Sequence, residues 1–594
     1  MKTGEAFPDY ISTGSKSKLR DYASSAGTKH ARGFFLLILF IAVLGILSIR
    51  LVHLQIINGS YYRELSDSNR IRTQAIHAPR GIIFDRNGTP LVFNVPGFRK
   101  KEKDRTILIS REKALGLIAQ GEQGLEVDEL RNYPYGEVLS HTLGYIGQIS
   151  QIELGEKDFS NYHGGDLIGK MGIEKEYEHS LTGIDGKRLF EVNSNGKEIR
   201  TLGSTDPMPG QNITLTIDMN LQKAAFNAMK SVVKGAVVVT NKQGEVLALV
   251  SKPSFDPNLF TLDETYKTPS DAAYRSISTI LSDSNNQPLL NRAIGGVYPP
   301  GSTFKLITAS SGLEDKLIDE NYKVEDTGIF SVGAFSFANW YFTQYGKTEG
   351  AVNVVKAIQR SNDIFFYKLA ELIGVDKLSE MAKKFGLGSK LGIDLDGEEA
   401  GTVPTSSWKK EYIKEPWYLG DTYHYGIGQG YLLTTPLQVN MWTSVIANGG
   451  ILYEPHLLKN QSAKIKNQNF LSSKTVDLIR QGMIESCSTG GVAWPLFEFK
   501  IQNSKFKIDG KNFLEVPEST SSGSMKGYRQ VTIACKTGTA QHGGEQTLPH
   551  SWITLFAPAY DPQVIVTVLS ESSGEGSNIA GPIAKKILEE WFSK

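Results

Sequence analysis

An uninterrupted apolar run near the amino terminus constrains this chain more than any other feature. The run GFFLLILFIAVLGILSI, Gly33 to Ile49, has no charged residue, and the sequence after Arg50 stays largely apolar through residue 57. A helix that spans a bilayer needs about 20 mostly apolar residues, a length reached here if the Arg50 side chain extends to the interface. No small-residue cleavage site follows closely, as it would in a signal peptide. We therefore predict a transmembrane anchor at 33–56, with a buried core helix as the alternative.

Basic residues before the anchor predict its orientation. Cytoplasmic flanks of membrane helices carry an excess of lysine and arginine. We expect residues 1–32 to form a cytoplasmic tail and nearly all of the chain after residue 57 to lie outside the cytoplasm, which makes this a single-pass protein of the cytoplasmic membrane. The basic residues that support this orientation are Lys2, Lys16, Lys18, Arg20, Lys29 and Arg32.

Length and composition indicate several globular units beside the anchor. The chain has 594 residues, too many for one ordinary core. A formal net charge of +1 gives no electrostatic reason to expect a nucleic-acid partner. Cys487 and Cys535 are too few for a disulfide framework. Because nothing in the sequence places these two residues together, we expect unpaired thiols, with one bridge as the alternative.

The segment GSTDPMPG at 203–210 predicts a linker between a pedestal at 57–205 and a larger domain at 210–594. In the pedestal, HAPRGIIFDRNGTPLVFNV at 77–95 predicts two short strands around an Asn-Gly turn.

Strand-like runs at both ends of the larger domain predict its fold class. GAVVVTNKQGEVLALVS predicts a hairpin near the start. VTIACKTGTAQ and SWITLFAPAYDPQVIVTVLS predict three strands near the end, and NIAGPIAKKILEEWF predicts a closing helix. Residues 302–490 between them are mostly helical in pattern. We therefore predict an α+β domain with a central antiparallel sheet built from both ends and a helical insert.

Three short motifs fall within this domain. Ser-x-x-Lys alone is uninformative, because it also occurs at 15–18, 231–234, 407–410 and 504–507. The order of the motifs and their placement make the set informative: the first opens a helix after Pro-Pro-Gly, the second lies near a helix start, and the third lies on a strand. The motifs are Ser302-Thr303-Phe304-Lys305, Ser361-Asn362-Asp363 and Lys536-Thr537-Gly538-Thr539.

The residue types suit nucleophilic catalysis. A serine hydroxyl needs a base to remove its proton, and Lys305 lies one helical turn from Ser302. Neutralising an ordinary lysine at pH 7 costs about 4–5 kcal/mol, and burial near a second cation lowers that cost. Lys536 is our candidate for the second cation, and Ser361 is our candidate for a proton relay toward the leaving group.

Backbone N–H groups at Ser302 and around Thr539 suit an oxyanion, and Lys536 and Thr537 suit a substrate carboxylate. The alternative is a serine that merely caps a helix beside a solvated lysine. Asp363 has its own alternative, a helix cap without a catalytic role.

Together these motifs resemble the penicillin-binding and β-lactamase superfamily. RGIIFDRNGTPL, YPYGEVLSHTLGYIG, GKMGIEKEYEHSLTGIDG, NRAIGGVYPPGSTFK and PWYLGDTYHYGIGQGY extend the resemblance to the class B branch, in its elongation group. The resemblance implies an elongated α/β pedestal and a serine-type D-Ala-D-Ala transpeptidase that cross-links peptidoglycan stem peptides and is acylated by β-lactams. It also implies a RodA-type glycosyltransferase and other elongation-complex proteins as partners.

Two positions depart from the superfamily pattern. Position 363 is Asp where the superfamily usually has Asn, and we interpret the acid as a feature of the elongation group. Residues 98–130 are short for a pedestal head, so we expect a reduced head subdomain.

Other functions remain alternatives at this level. A β-lactamase needs a base for the deacylating water, and the sequence shows no motif for one. A non-catalytic cell-wall scaffold or β-lactam-binding protein and a division-type transpeptidase are further alternatives. Cys535, His542 and His550 match no standard zinc spacing, so we expect no metal and no cofactor.

Overall fold

The computed structural model describes residues 26–102, 105–122, 124–193, 195–263, 265–502, 511–515, 528–544 and 547–593. Most of the predicted cytoplasmic tail lies outside these residues. The chain forms two compact units, one from Met1–Ile76 with Asp185–Asp206 and one from His77–Ile184 with Pro207–Lys594.

Helices and strands are numbered here in chain order. The helices are α1 (Ala26–Val52), α2 (Gly59–Arg70), α3 (Arg111–Ala119), α4 (Ser140–Leu143), α5 (Gly172–Glu176), α6 (Glu178–Leu181), α7 (Met219–Ala228), α8 (Asn258–Thr261), α9 (Ile277–Ser282), α10 (Lys305–Glu314), α11 (Trp340–Tyr345), α12 (Val354–Gln359), α13 (Asp363–Ile373), α14 (Val375–Lys384), α15 (Ser406–Trp408), α16 (Leu419–Gly426), α17 (Pro436–Ala447), α18 (Ser473–Ser486) and α19 (Ala580–Phe592). The strands are β1 (Ile71–Ile76), β2 (Ile83–Phe84), β3 (Pro90–Glu102), β4 (Arg105–Ser110), β5 (Leu125–Asn132), β6 (Ile146–Gln148), β7 (Leu167–Gly169), β8 (Gly186–Val192), β9 (Glu198–Thr205), β10 (Ile213–Thr214), β11 (Gly235–Thr240), β12 (Val246–Lys252), β13 (Val324–Asp326), β14 (Ile329–Val332), β15 (Phe335–Ala338), β16 (Gly350–Val352), β17 (Leu452–Tyr453), β18 (Ile465–Asn467), β19 (Lys500–Gln502), β20 (Phe513–Glu515), β21 (Tyr528–Val531), β22 (Ala534–Ala540), β23 (His550–Ala557) and β24 (Val564–Ser570).

The first unit carries the predicted anchor. Arg32–Ile57 is, among the residues that the structure describes, the single helix long and apolar enough to cross a membrane. None of the other described residues buries this span, and its large apolar side chains are exposed. An all-round apolar helix without protein neighbours is suited to lipid. A three-stranded sheet in the order β1-β8-β9 completes this unit.

In the second unit, the strand pair predicted at 77–95 is confirmed, because β2 pairs antiparallel with β3. Within residues 77–184 of this unit, the buried carboxylate of Glu174 binds Arg80 and Arg131 at N–O distances of 2.7 Å each. Burying one carboxylate between two guanidinium groups satisfies its hydrogen-bonding capacity. The motif RGIIFDRNG is thereby joined to GKMGIEKEYE through side chains that the sequence separates widely.

The predicted central sheet is confirmed, with the strand order β12-β11-β24-β23-β22 and antiparallel pairing throughout. Two of its strands precede the helical insert and three follow it. β24, close to the carboxyl terminus, lies in the middle, whereas β22 lies at an edge.

The two faces of this sheet are both buried, which is why strands β11, β12 and β24 are mostly apolar without alternation. Val237 and Val239 pack with Ile587 of α19 on one face. Val238 packs with Trp442 of α17 on the other. The helical insert, α10 to α18, therefore lies on the face opposite the closing helix, next to the edge strand β22.

Candidate active site

The Pro-Pro-Gly segment places Ser302 on a tight turn. Gly301–Thr303 forms a 3-10 turn, and α10 begins at Lys305, so the predicted helix start is displaced by a few residues. Gly301 has φ +55°, and a Cβ at this position would lie 2.9 Å from the carbonyl oxygen of Thr539. Glycine is needed here because the turn passes directly against β22. The Ser302 side chain is partly exposed beside that contact.

Lys305 is wholly buried and makes polar contacts with the second motif. Its Nζ donates to Asp363 Oδ1 at 2.6 Å, to the Ser361 carbonyl oxygen at 2.8 Å and to Ser361 Oγ at 3.4 Å. Three acceptors match the three N–H donors of an ammonium group. Within the described part of the chain, no hydrogen bond joins Ser302 Oγ to Lys305 Nζ. The resting structure therefore shows Lys305 as the ion-pair partner of Asp363.

The second motif lies between two helices. Ser361 follows α12 in the left-handed region, at φ +53°. Asn362 caps α13 by accepting the N–H of Phe365 at 2.9 Å. The alternative of Asp363 as the helix cap is thus wrong, because Asn362 has that role and leaves the Asp363 carboxylate free to bind Lys305 and the N–H of Trp340, at 3.1 Å.

A buried carboxylate that the sequence analysis missed supports this motif. Asp326 Oδ2 accepts from Asn362 Nδ2 at 2.9 Å and from Asn339 Nδ2 at 2.8 Å. Asn339 Oδ1 in turn accepts the N–H of Asp363 at 3.2 Å. Asp326 therefore fixes Asn362 directly and Asp363 indirectly. No signal in the sequence distinguishes Asp326 from an ordinary turn residue in VEDTG.

The third motif lies on the edge strand β22, as predicted. Lys536 is wholly buried, and its Nζ donates to Ser361 Oγ at 2.8 Å and to the Thr537 carbonyl oxygen at 2.9 Å. No carboxylate pairs with Lys536 among the residues with described positions. Thr537 is nearly buried, whereas Thr539 is exposed at the end of the strand. The hydroxyl of Ser361 thus lies between two lysine amines.

Burial shifts the proton affinity of both amines. Desolvation lowers the pKa of Lys305, and the negative charge and hydrogen bond of Asp363 oppose that shift. Desolvation also lowers the pKa of Lys536, well below its ordinary value, and the positive charge of Lys305 adds to this effect. Since two lysines share one carboxylate in a buried site, the arrangement favours one ammonium and one neutral amine.

The expectation of unpaired cysteines was wrong. Cys487 and Cys535 form a disulfide with a Cα–Cα distance of 5.8 Å. The tertiary fold brings β22 to the carboxyl end of α18, and no local sequence pattern predicts this contact. Cys535 is therefore no metal ligand, and His542 and His550 stack on each other with ring centroids 3.7 Å apart.

Comparisons with known proteins find two family models that match this chain. The penicillin binding protein transpeptidase domain matches residues 234–589, and the penicillin-binding protein dimerisation domain matches residues 123–215. The peptidoglycan D,D-transpeptidase MrdA of Acinetobacter baumannii is 32% identical over an alignment of 635 positions, which covers 97% of this chain and 89% of the relative.

Solved structures of penicillin-binding protein 2 from two bacteria are also similar to this chain. Penicillin-binding protein 2 of Helicobacter pylori, in complex with MreC, has a TM-score of 0.71 at 29% identity and covers 88% of this chain and 99% of its own. Penicillin-binding protein 2 of Pseudomonas aeruginosa, in complex with WCK 5153, has a TM-score of 0.66 at 32% identity and covers 88% of this chain and 96% of its own. The sequence motifs, the fold and these relatives lead to one conclusion: the chain belongs to the class B penicillin-binding proteins, in the penicillin-binding protein 2 group.

Proposed function

We propose that this protein, an elongation-type peptidoglycan D,D-transpeptidase that binds β-lactams, works through an acyl enzyme formed on Ser302. The observation that carries the proposal is the buried hydroxyl of Ser361, which lies between the amine of Lys536 and that of Lys305, three residues after Ser302. This arrangement supplies a nucleophile, a base and a route for protons.

In the proposed first step, Ser302 Oγ attacks the carbonyl carbon between the two terminal D-alanines of a donor stem peptide. The new Oγ–C bond forms, the C–N bond breaks, and the proton from Ser302 passes through Lys305 to the departing D-alanine amine. In the second step, an amine of a neighbouring stem peptide attacks the ester. A new amide forms, Ser302 leaves with its proton restored, and the two strands are cross-linked.

Lys305 must lose a proton before it can serve as the base, because Asp363 favours its ammonium form. We propose that Ser361 passes this proton to Lys536, over the 3.4 Å and 2.8 Å contacts that join the three groups. Lys536 then becomes the cation and Lys305 the neutral amine. Asp363 keeps the total charge of the site balanced in both states.

The other proposed roles concern the substrate. Backbone N–H groups of Ser302 and Thr539 lie on two segments that touch at Gly301, which suits them to bind the oxyanion that develops on the attacked carbonyl. Thr537, Gly538 and the Lys536 ammonium would bind the carboxylate of the terminal D-alanine.

We further propose the topology and partners that the sequence predicts. The amino terminus would be cytoplasmic and the catalytic domain extracytoplasmic, with the domain limits 33–56, 57–205 and 210–594 given above. A RodA-type glycosyltransferase and elongation-complex proteins would be its partners. The Helicobacter pylori relative in complex with MreC supports association with the cell-wall machinery.

Intact-protein mass spectrometry with benzylpenicillin tests the function. We expect a stable mass increase of one acyl group, located by peptide mapping on the segment that contains Ser302, and release of D-alanine from a pentapeptide donor when an acceptor amine is supplied. Rapid turnover of the penicillin would instead identify a β-lactamase. An absence of both acylation and D-alanine release would identify a scaffold.

Replacing Asp363 by Asn tests the proton arrangement. The Asp363 charge raises the pKa of both lysines, so its removal should let the amine pair lose a proton at lower pH. The acid limb is the low-pH part of the curve of acylation rate against pH, where protonation of the amines limits the rate. We expect this limb to shift to lower pH by about one to three units. The plateau should also fall, because Lys305 loses its ion-pair partner. The exposed Asp376→Asn change is the matched control, and an unmoved limb in Asp363→Asn would contradict the arrangement.

A further inference from the structure

The Cys487–Cys535 disulfide lies next to the catalytic machinery. Cys535 directly precedes Lys536 on β22, and Cys487 ends α18. Both residues are buried, at 0% and 5% exposure. The bond therefore connects the strand that carries Lys536 to the carboxyl end of a helix in the insert.

That helix also packs against the support of Ser361. A Cβ on Gly482 of α18 would lie 2.7 Å from the Cβ of Ile358 and 3.1 Å from the carbonyl oxygen of Val355. Ile358 and Val355 belong to α12, which ends two residues before Ser361. The close approach means that a movement of α18 would move α12 with it.

A second connection joins the segment after Cys487 to the residue before Ser361. Arg360 Nη1 donates to the carbonyl oxygen of Gly490 at 2.8 Å, and its Nε donates to Glu349 at 2.7 Å. Its guanidinium also lies 4.9 Å from the ring centroid of Tyr341. Residues 487–490 are thus bound covalently to the neighbour of Lys536 and by a charge-assisted hydrogen bond to the neighbour of Ser361.

Strand β22 needs such a connection because of its place in the sheet. Among the described strands it is an edge strand, paired with β23 on one side. Its other side faces the turn of Ser302, which must remain open to substrate. The backbone ladder alone therefore leaves β22 without a covalent or paired restraint on the side of the active site.

We propose that the Cys487–Cys535 disulfide, together with Arg360, is a positioning element that sets the contact between Lys536 and Ser361. This inference rests on the proposed function, because it assumes that the proton passes between these two side chains. Displacing a reacting group by about 1 Å costs on the order of 100-fold in rate. Disulfides persist in oxidising compartments, which agrees with the extracytoplasmic placement proposed for this domain.

Two disulfide-free variants test the proposal: Cys487→Ala/Cys535→Ala and Cys487→Ala/Cys535→Val, the second of which keeps more side-chain volume in the strand. The full-length protein is purified in detergent, and acylation by fluorescent penicillin is followed against pH. We expect both variants to acylate about 10- to 100-fold more slowly than the wild type. We also expect the acid limb to move to higher pH, because water entry and a larger separation from Lys305 would let Lys536 hold its proton more tightly.

Leu588→Ala is the matched control, because Leu588 belongs to the same apolar core but lies on α19. It should lower the midpoint of thermal unfolding by a similar amount and leave the acid limb in place. A wild-type rate and limb in both disulfide-free variants, or the same limb shift in Leu588→Ala, would overturn the proposal. Such a result would leave the proposed function intact, because the wild type would still be acylated. Failure of the proposed function itself would appear as a wild-type protein that penicillin does not acylate.

Discussion

Replacing Ser302 by alanine is expected to abolish covalent labelling by penicillin and to lower D-alanine release about 10⁴-fold or more. In the proposed mechanism the hydroxyl oxygen of Ser302 forms the acyl bond, and removing a nucleophile eliminates the covalent route altogether. Intact-protein mass spectrometry measures the labelling, and a chromatographic assay of free D-alanine measures the turnover. Noncovalent penicillin binding should persist, because the rest of the site is unchanged.

Ser231→Ala is the control for this change. Ser231 begins another Ser-x-x-Lys sequence, but it is exposed and does not precede a buried lysine. Its variant should label at the wild-type rate. If Ser302→Ala still gained one acyl group per chain, the nucleophile would have to be another residue. Since Ser302 is only partly buried, we expect the midpoint of thermal unfolding to change little.

Replacing Lys305 by methionine should slow acylation about 10²- to 10⁴-fold, the usual contribution of a general base. It should also destabilise the fold by about 3–5 kcal/mol, because Asp363 would lose its buried cation. Methionine keeps the length and apolar body of the lysine side chain, so the loss of the charge dominates. Stopped-flow acylation and urea unfolding measure the two effects separately.

The double variant Lys305→Met/Asp363→Asn separates stability from catalysis. Removing both charges should restore most of the lost free energy of unfolding, since neither partner is left as an unpaired ion. It should not restore the acylation rate, because the base is still absent. Lys383→Met, on the exposed side of α14, is the control for the substitution itself. Acylation of Lys305→Met within tenfold of the wild type would assign the base to another group.

The parts of the site that belong to helices and strands with clear local sequence patterns could be predicted from the sequence. A strand pattern around Lys536 and a helix after Pro-Pro-Gly placed two motifs on their elements, and the structure confirms β22 and α10. The antiparallel sheet was predictable for the same reason, because runs of β-branched residues at both ends of the larger domain indicate strands that can pair. These signals depend on residues close together in the chain.

The groups that hold the motifs could not be predicted. Asp326, Arg360 and the Cys487–Cys535 pair act across separations of tens of residues, and their residue types are ordinary where they occur. Asn362 and Asp363 show the limit at close range as well. Either side chain can cap a helix, and the tertiary contact of Asp363 with Lys305, which local sequence does not encode, leaves the cap to Asn362.

The central place of β24 has a consequence for when the enzyme can first act. Among the described strands, β22 is joined to β11 through β23 and β24, and β24 follows β22 and β23 in the chain and ends at Ser570. A nascent chain that has not yet emerged as far as Ser570 lacks the middle of the sheet, so the strand that carries Lys536 cannot be held in its place. Translation must therefore pass β24 before the enzyme can join any two strands of the wall.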